Sequence, residues 1–360
     1  MTATTAPVTP KVHSGRSFVL RIVPRVAIAL AVLGIAFFGV LPRVANMEEV
    51  GGLIWSMPAG DMTLAIVIAA LALLSHGLGI MATTPGHISY SNALTENQSA
   101  SAICNVVPGG GALTVVVNYE QYKSWGLTAE DYSLMVVVSG IWNNFIKLGM
   151  PVVAVVILGL TGEFRGPLVL AAVAGLVVLA GAVALFAGMF RSQELTRRVG
   201  VLAGRIVTWL RTLVHHPKEE QWGDAEVQTR EQALDLVRAR WLRMTWTLLL
   251  PTLLEYFLLL FCLRGLGVGP GSVGWDDVLV AYSVAKLLTV IPVTPGGLGV
   301  LDLGLVGILV AAGGDQDQVV AATLLWRGLT FLPTIPVGAV LGARWWRWNR
   351  KRTARIATSP

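Results

Sequence analysis

Long apolar runs separated by short clusters of charge dominate the chain. Val26 to Pro42, Leu64 to Met81, Leu168 to Phe190 and Thr245 to Leu263 are apolar around most of a helical wheel. They approach or meet the about 20 residues that a helix needs to cross roughly 30 Å of hydrocarbon. Strands of a membrane β-barrel alternate in polarity, whereas these runs do not and are rich in Ala, Leu, Val and Gly. The pattern predicts an all-α polytopic membrane protein.

The polar connections predict an order for the spans. Lys and Arg concentrate in the N-terminal arm, in 191–243 and in 344–355, and basic connections stay on the cytoplasmic side. Segments 43–62, 162–167, 264–277 and 313–318 carry Glu48, Glu49, Asp61, Glu163, Asp276, Asp277, Asp315 and Asp317 against few cations, and are expected outside. Six full spans at about 24–44, 63–83, 131–161, 168–190, 244–263 and 319–343 satisfy this parity. Two stretches remain, 88–124 and 276–312, and each must enter and leave on one face. They are expected as re-entrant helical hairpins with their turns at Pro108, Gly109, Gly110 and Gly111, and at Pro295, Gly296, Gly297, Leu298 and Gly299. Opposite entry faces make this an inverted repeat, an arrangement that places a transport site near the midplane.

The expected organisation is therefore a cytoplasmic arm at 1–22, a first membrane half at 23–190, a cytoplasmic amphipathic linker at 191–243, a second membrane half at 244–343 and a basic cytoplasmic tail at 344–360. Leu195, Val199, Leu202 and Ile206 in the linker recur at helical spacing, as on a helix lying on the membrane surface, either a simple elbow or a lipid sensor. Trp345, Trp346 and Trp348 alternate with arginines and read as an interfacial anchor.

Composition agrees: 54% of residues are hydrophobic and 13% charged. The net charge of +6 lies beside the spans, where it meets anionic headgroups and needs no nucleic acid. The first apolar run lacks a small-residue cleavage site and is expected to be retained. Cys104 and Cys262 have neither metal-ligand spacing nor a disulfide pattern and are expected to pack. The chain is placed in a bacterial cytoplasmic membrane as a multi-pass protein with both termini cytoplasmic.

Ile291 to Leu303, IPVTPGGLGVLDL, followed by Ala321 to Gly338 with Arg327, Thr330, Pro333 and Pro336, resembles the lysylphosphatidylglycerol synthase transmembrane-region family. That family includes the flippase-like membrane domain of the multiple peptide resistance factor. The resemblance runs from about residue 20 to 345 and is most specific at the C-terminal Pro-Gly motif. Family members often read Pro-Gly-x-x-Gly-Glu in the first hairpin, whereas Pro108 to Asn118 has no acidic residue. Bifunctional members carry a soluble aminoacyl-transferase domain after the membrane part, and this sequence ends at Pro360. The resemblance thus implies lipid translocation without aminoacylation.

Charges inside hydrocarbon cost at least about 2.5 to 3.5 kcal/mol each, so those present pair or line a pathway. Glu255, Lys147, Lys286, Asp302 and Arg327 fall within expected membrane segments, and Asn143 and Asn144 lie one turn before Lys147. Asp302 and Arg327 are expected to face each other, with Arg327, helped by Lys286 or Lys147, binding a lipid phosphate. A guanidinium keeps its charge and offers a planar fork to phosphate. Gly296, Gly297 and Gly299 open a half-helix whose N–H groups attract anions. A structural ion pair and a mere tight turn are the competing reading. Glu255 is either a proton-coupled carboxylate or a hydrogen-bonded tie between helices. Asp315 and Asp317 read as helix capping, His215 and His216 lack a third ligand, and Ser75 and His76 lack an acidic partner nearby. No metal, cofactor or nucleotide loop is expected.

The expected function is a flippase or transporter for an anionic or modified phospholipid or a polyprenyl-phosphate-linked lipid. Its expected partners are membrane lipids and a separate lipid-synthesis enzyme, with self-association left open. A membrane enzyme that modifies headgroups, and a non-transporting partner of a synthase, are the alternatives.

Overall fold

A computed structural model describes residues 47–107, 110–161, 181, 225–289 and 300–357. The expected spans 24–44 and 168–190, apart from Gly181, the arm 1–22 and the linker up to residue 224 with His215 and His216 lie outside them. So do the turn residues Pro108, Gly109, Pro295, Gly296, Gly297, Leu298 and Gly299.

All elements among the described residues are helices. In chain order they are α1 (Met47–Ser56), α2 (Ala59–Thr83), α3 (Tyr90–Val106), α4 (Gly110–Ser124), α5 (Ala129–Thr161), α6 (Ala225–Gly265), α7 (Trp275–Leu288), α8 (Val300–Ala311), α9 (Gln316–Phe331) and α10 (Thr334–Ala357). The stretches Ala59–Thr83, Ala129–Gly159, Asp235–Gly265 and Gln316–Thr353 are long and apolar enough to cross a membrane. This is a multi-pass helical membrane protein.

Helix α2 shows why the bundle belongs in lipid. Its buried face is made of small residues, Ala65, Ala69, Ala72, Gly79 and Ala82, while Leu64, Ile66, Val67, Leu71, Leu74 and Leu78 are exposed. In water that order of sizes leaves the hydrophobic effect unused; in lipid, small residues let helices approach and large ones meet acyl chains. The small face packs on α6, and α2 also contacts α3, α5 and α9.

The Pro-Gly stretches correspond to helix pairs. Helices α3 and α4 fold back on one another, with Cys104 Sγ 3.3 Å from Thr114 Oγ1 beside the turn and Glu96 meeting Asn118 further out. Helices α7 and α8 likewise pack together. The four contain 17, 15, 14 and 12 residues, and at about 1.5 Å of rise per residue none alone reaches across roughly 30 Å.

Four boundaries differ from the sequence expectation. The expected span 319–343 is two helices broken at Leu332 and Pro333, because Pro333 and Pro336 lack the N–H groups that continue an α-helix. The expected tail beyond Arg344 is the end of α10 through Ala357. Its Trp345 Nε1 donates to Ser124 Oγ at 2.9 Å, and Arg352 donates to the Ser124 carbonyl. Helix α6 begins at Ala225, inside the expected linker, and Arg240 donates to the Thr84 carbonyl at 3.0 Å. The segment 43–62, expected as a connection, contains α1.

The connection between α4 and α5, which has balanced charge, is a short turn with Gly126 at φ 84. Thr128 and Asp131 then cap α5 reciprocally: Thr128 N donates to Asp131 Oδ2 at 2.8 Å, and Asp131 N donates to Thr128 Oγ1 at 3.1 Å. Asp315 caps α9 by accepting from Gln318 N at 3.1 Å, the structural role expected of it.

Helix α10 lies along α3 through Gly338 and Gly342, a small-x-x-x-small seam. A Cβ on Gly338 would overlap the Gln98 carbonyl and lie 2.7 Å from Ala102 Cβ, and one on Gly110 would come within 2.6 Å of the Ile103 carbonyl. Gly338→Ile is expected to destabilise the protein by about 1 to 3 kcal/mol through overpacking. Gly111→Ala, with nothing within 4 Å of the new Cβ, is expected to be neutral or to stabilise by up to about 1 kcal/mol. Thermal unfolding of both variants in a mild detergent tests the pair.

Candidate functional site

Four successive helices, α6 to α9, bring charged side chains together in the interior. Glu255 lies one turn after Pro251 on α6, where proline removes the backbone donor to Thr247 and weakens the helix locally. Lys286 ends α7, Asp302 begins α8, and Arg327 lies in the last turns of α9. These four charges form two ion pairs. Lys286 Nζ lies 2.5 Å from Glu255 Oε2, and Arg327 Nε lies 3.0 Å from Asp302 Oδ1, with Asp302 and Arg327 side chains only 13% and 12% exposed. The second contact has ion-pair distance without an aligned N–H···O bond between those two atoms.

Uncharged donors lock the first pair in place. The Tyr282 hydroxyl lies 3.0 Å from the Thr252 carbonyl and 3.2 Å from Glu255 Oε2, with one proton to donate between them. Trp326 Nε1 donates to the Glu255 carbonyl at 2.9 Å. Lys286 Nζ stands 5.3 Å from the centre of the Tyr282 ring, within cation–π range.

Glu255, Lys286 and Arg327 border a cavity of about 500 Å³ whose lining also includes His76, Glu96 and Asn118 but not Asp302. A second cavity of about 320 Å³ shares His76, Asn97, Glu255 and Lys286 with the first and continues to Asn143 and Lys147. The two cavities therefore adjoin at His76, Asn97, Glu255 and Lys286. The two cations of the larger cavity have their counter-ions on neighbouring helices, Lys286 with Glu255 and Arg327 with Asp302.

The sequence-derived site is mostly brought together here. Asp302 and Arg327 face each other as expected. Lys286 does not sit beside Arg327 as a spare cation, because Glu255 one helix away holds it. Lys147 lines only the smaller cavity, as does Asn143, whose amide donates back to the Ser139 carbonyl at 2.9 Å. Asn144 lines neither cavity, is exposed, and donates to the Gly140 carbonyl at 3.0 Å. Of the turn residues only Gly110 and Gly111 are described, at the start of α4; Pro295, Gly296, Gly297 and Gly299 are outside. Ser75 and His76 bond to the Ala72 carbonyl of their own helix, and His76 lines the cavity.

Sequence reasoning missed Glu96, Gln98, Asn118 and Gln121. They are buried between the helices of the first pair and its neighbours. A signal was available: Asn92, Thr95, Glu96, Asn97, Gln98 and Ser99 form a polar run inside a stretch expected to be apolar.

The chain matches the family described as "Lysylphosphatidylglycerol synthase TM region" over residues 26–338, and it belongs to that family. A relative named "UPF0104 membrane protein", from Methanothermobacter thermautotrophicus, is 30% identical over 79 residues. That match covers 22% of this chain and 22% of the relative's length.

Removing one member of a buried ion pair leaves the other charge uncompensated. Lys286→Met is therefore expected to destabilise the protein by about 3 to 5 kcal/mol, and the double variant Glu255→Leu with Lys286→Met to recover most of that loss. Thermal unfolding of wild type, single and double variants gives the coupling.

Proposed function

We propose that this family member is a lipid flippase or transporter that moves an anionic or modified phospholipid, or a polyprenyl-phosphate-linked lipid, across the cytoplasmic membrane. The observation that carries the proposal is the cavity itself: about 500 Å³ inside a lipid-facing bundle, bordered by Lys286 and Arg327, each at ion-pair distance from a carboxylate on another helix. A phosphate seated there displaces Asp302 from Arg327, whose planar donors match phosphate oxygens. Lys286, held by Glu255, supplies a second cation at the same cavity. Acyl chains remain in the bilayer between helices while the headgroup crosses the adjoining cavities.

In this reading the pairs α3–α4 and α7–α8 are re-entrant hairpins entering from opposite faces, and alternating exposure of the cavity moves the headgroup. The protein acts as a translocase and leaves the covalent chemistry of the lipid to a separate enzyme. Both termini lie in the cytoplasm, where the arginines of α10 meet anionic headgroups.

Native mass spectrometry with lipid identification, on protein extracted in mild detergent, tests the site. The expected result is a defined anionic lipid retained by wild type and lost from Arg327→Ala. Equal retention by the two proteins would make the Asp302–Arg327 pair structural and remove the proposal.

A further inference from the structure

The first helix pair contains a buried polar cluster whose chemistry differs from that of the lipid site. Glu96 on α3 is 4% exposed, and Gln98 and Asn118 are 1% and 3% exposed. Asn118 Nδ2 donates to Glu96 Oε1 at 2.5 Å, Gln121 Nε2 donates to Ser99 Oγ at 3.0 Å, and Gln98 Nε2 donates to the Leu73 carbonyl at 3.3 Å. The donors are thus used. The buried oxygens left without any partner are Glu96 Oε2, Gln98 Oε1, Asn118 Oδ1 and Gln121 Oε1. All four are acceptors, and Glu96, Gln98 and Asn118 line the large cavity.

The same cluster has a deficit of positive charge. From α2, His76 faces the cavity with its Nδ1 at the Ala72 carbonyl; from α4, the Tyr122 hydroxyl lies 2.9 Å from Thr84 Oγ1; from α5, Tyr132 lines the cavity; the lining residue of α10, Thr334, is uncharged. Across the cavity, Lys286 and Arg327 lie at ion-pair distance from Glu255 and Asp302. Among the described residues no Lys or Arg forms an ion pair with Glu96. A buried carboxyl group beside unpaired acceptor oxygens calls for a donor or a cation, and a cation or a proton also neutralises its charge.

We propose that Glu96, Gln98 and Asn118 form a site for a small monovalent cation, H⁺ or Na⁺, that enters from the large cavity. A proton on Glu96 Oε2 converts one acceptor into a donor. A sodium ion instead takes several of the oxygens at once, in keeping with the preference of hard cations for oxygen ligands. Either ion neutralises the carboxylate that this half of the cavity presents. The site stands on its own residues, but its use rests on the transport reading above: cation occupancy in the first helix pair would be coupled to lipid occupancy at Lys286 and Arg327.

The test is thermal unfolding of the full chain in mild detergent, in two series. One exchanges choline chloride for NaCl at fixed pH, and the other lowers pH without sodium. A ligand that binds the folded state raises its stability in proportion to the logarithm of ligand concentration above Kd. Wild type is expected to gain Tm by a constant increment per tenfold rise in one of the two cations, and the series that responds identifies it. Glu96→Gln is expected to lose that slope, which separates Glu96 from His76 in the pH series. It is also expected to melt above wild type at low cation concentration, because no uncompensated charge remains. Gln98→Met is expected to weaken the response while retaining the fold. A wild type with no response to either ion, or a slope unchanged in Glu96→Gln, would overturn the site. Stabilisation by phosphatidylethanolamine alone would overturn it in favour of a headgroup ammonium. Lipid retention measured on the same samples separates the two readings: a lipid-retaining wild type without cation response defeats this inference alone, and a cation response without lipid defeats the transport reading alone.

Discussion

Charge cannot stand alone in hydrocarbon, and that constraint organises the second half of this molecule. Glu255, Lys286, Asp302 and Arg327 come from four successive helices, α6 to α9, and each is held close to an opposite charge. An unpaired member would cost at least about 2.5 to 3.5 kcal/mol, so the pairs select an arrangement that docks α7 against α6 and α8 against α9. Tyr282 and Trp326 strengthen that arrangement with bonds to α6 carbonyls rather than with further charge. The geometry that satisfies the charges also leaves a cavity beside them, lined by Glu255, Lys286 and Arg327.

The first half meets a polar requirement by other means. Where α3 and α4 meet, the buried polar groups are amides, a hydroxyl and the Glu96 carboxyl group, while Glu120 and Lys123 of α4 are exposed. The position of these helices is set by close backbone approach, at Gly110 within the pair and at Gly338 against α10. Helix α2, with small residues inward and Leu and Ile outward, joins the two halves through its contact with α6. One cavity is consequently lined by Lys286, Glu255 and Arg327 on one side and by Glu96 and Asn118 on the other.

Much of this was legible in the sequence because lipid imposes simple rules. The apolar lengths of α2, α5 and α6 and the meeting of Asp302 with Arg327 follow from hydrocarbon thickness and the cost of buried charge. The Glu255–Lys286 pair was not legible: the residues are 31 positions apart, and which of several buried charges meet depends on helix rotation, which hydropathy does not encode. The split at Pro333 was hidden because the residues on both sides are apolar and a window of hydropathy passes through the break. Glu96 was obscured by the opposite effect, since the Pro-Gly turn drew attention to one end of a helix whose polar residues lie before it.

The central claim is that the buried charges form a pathway and do not merely tie helices together. The most direct measurement is translocation of an anionic phospholipid in proteoliposomes, comparing wild type with the neutral pair Asp302→Asn and Arg327→Gln. Neutralising both partners leaves no bare charge, so the fold is expected to survive, as thermal unfolding of the same sample verifies. The account predicts a folded double variant whose translocation falls to the level of protein-free vesicles. A folded double variant that still moves the lipid at the wild-type rate would contradict it.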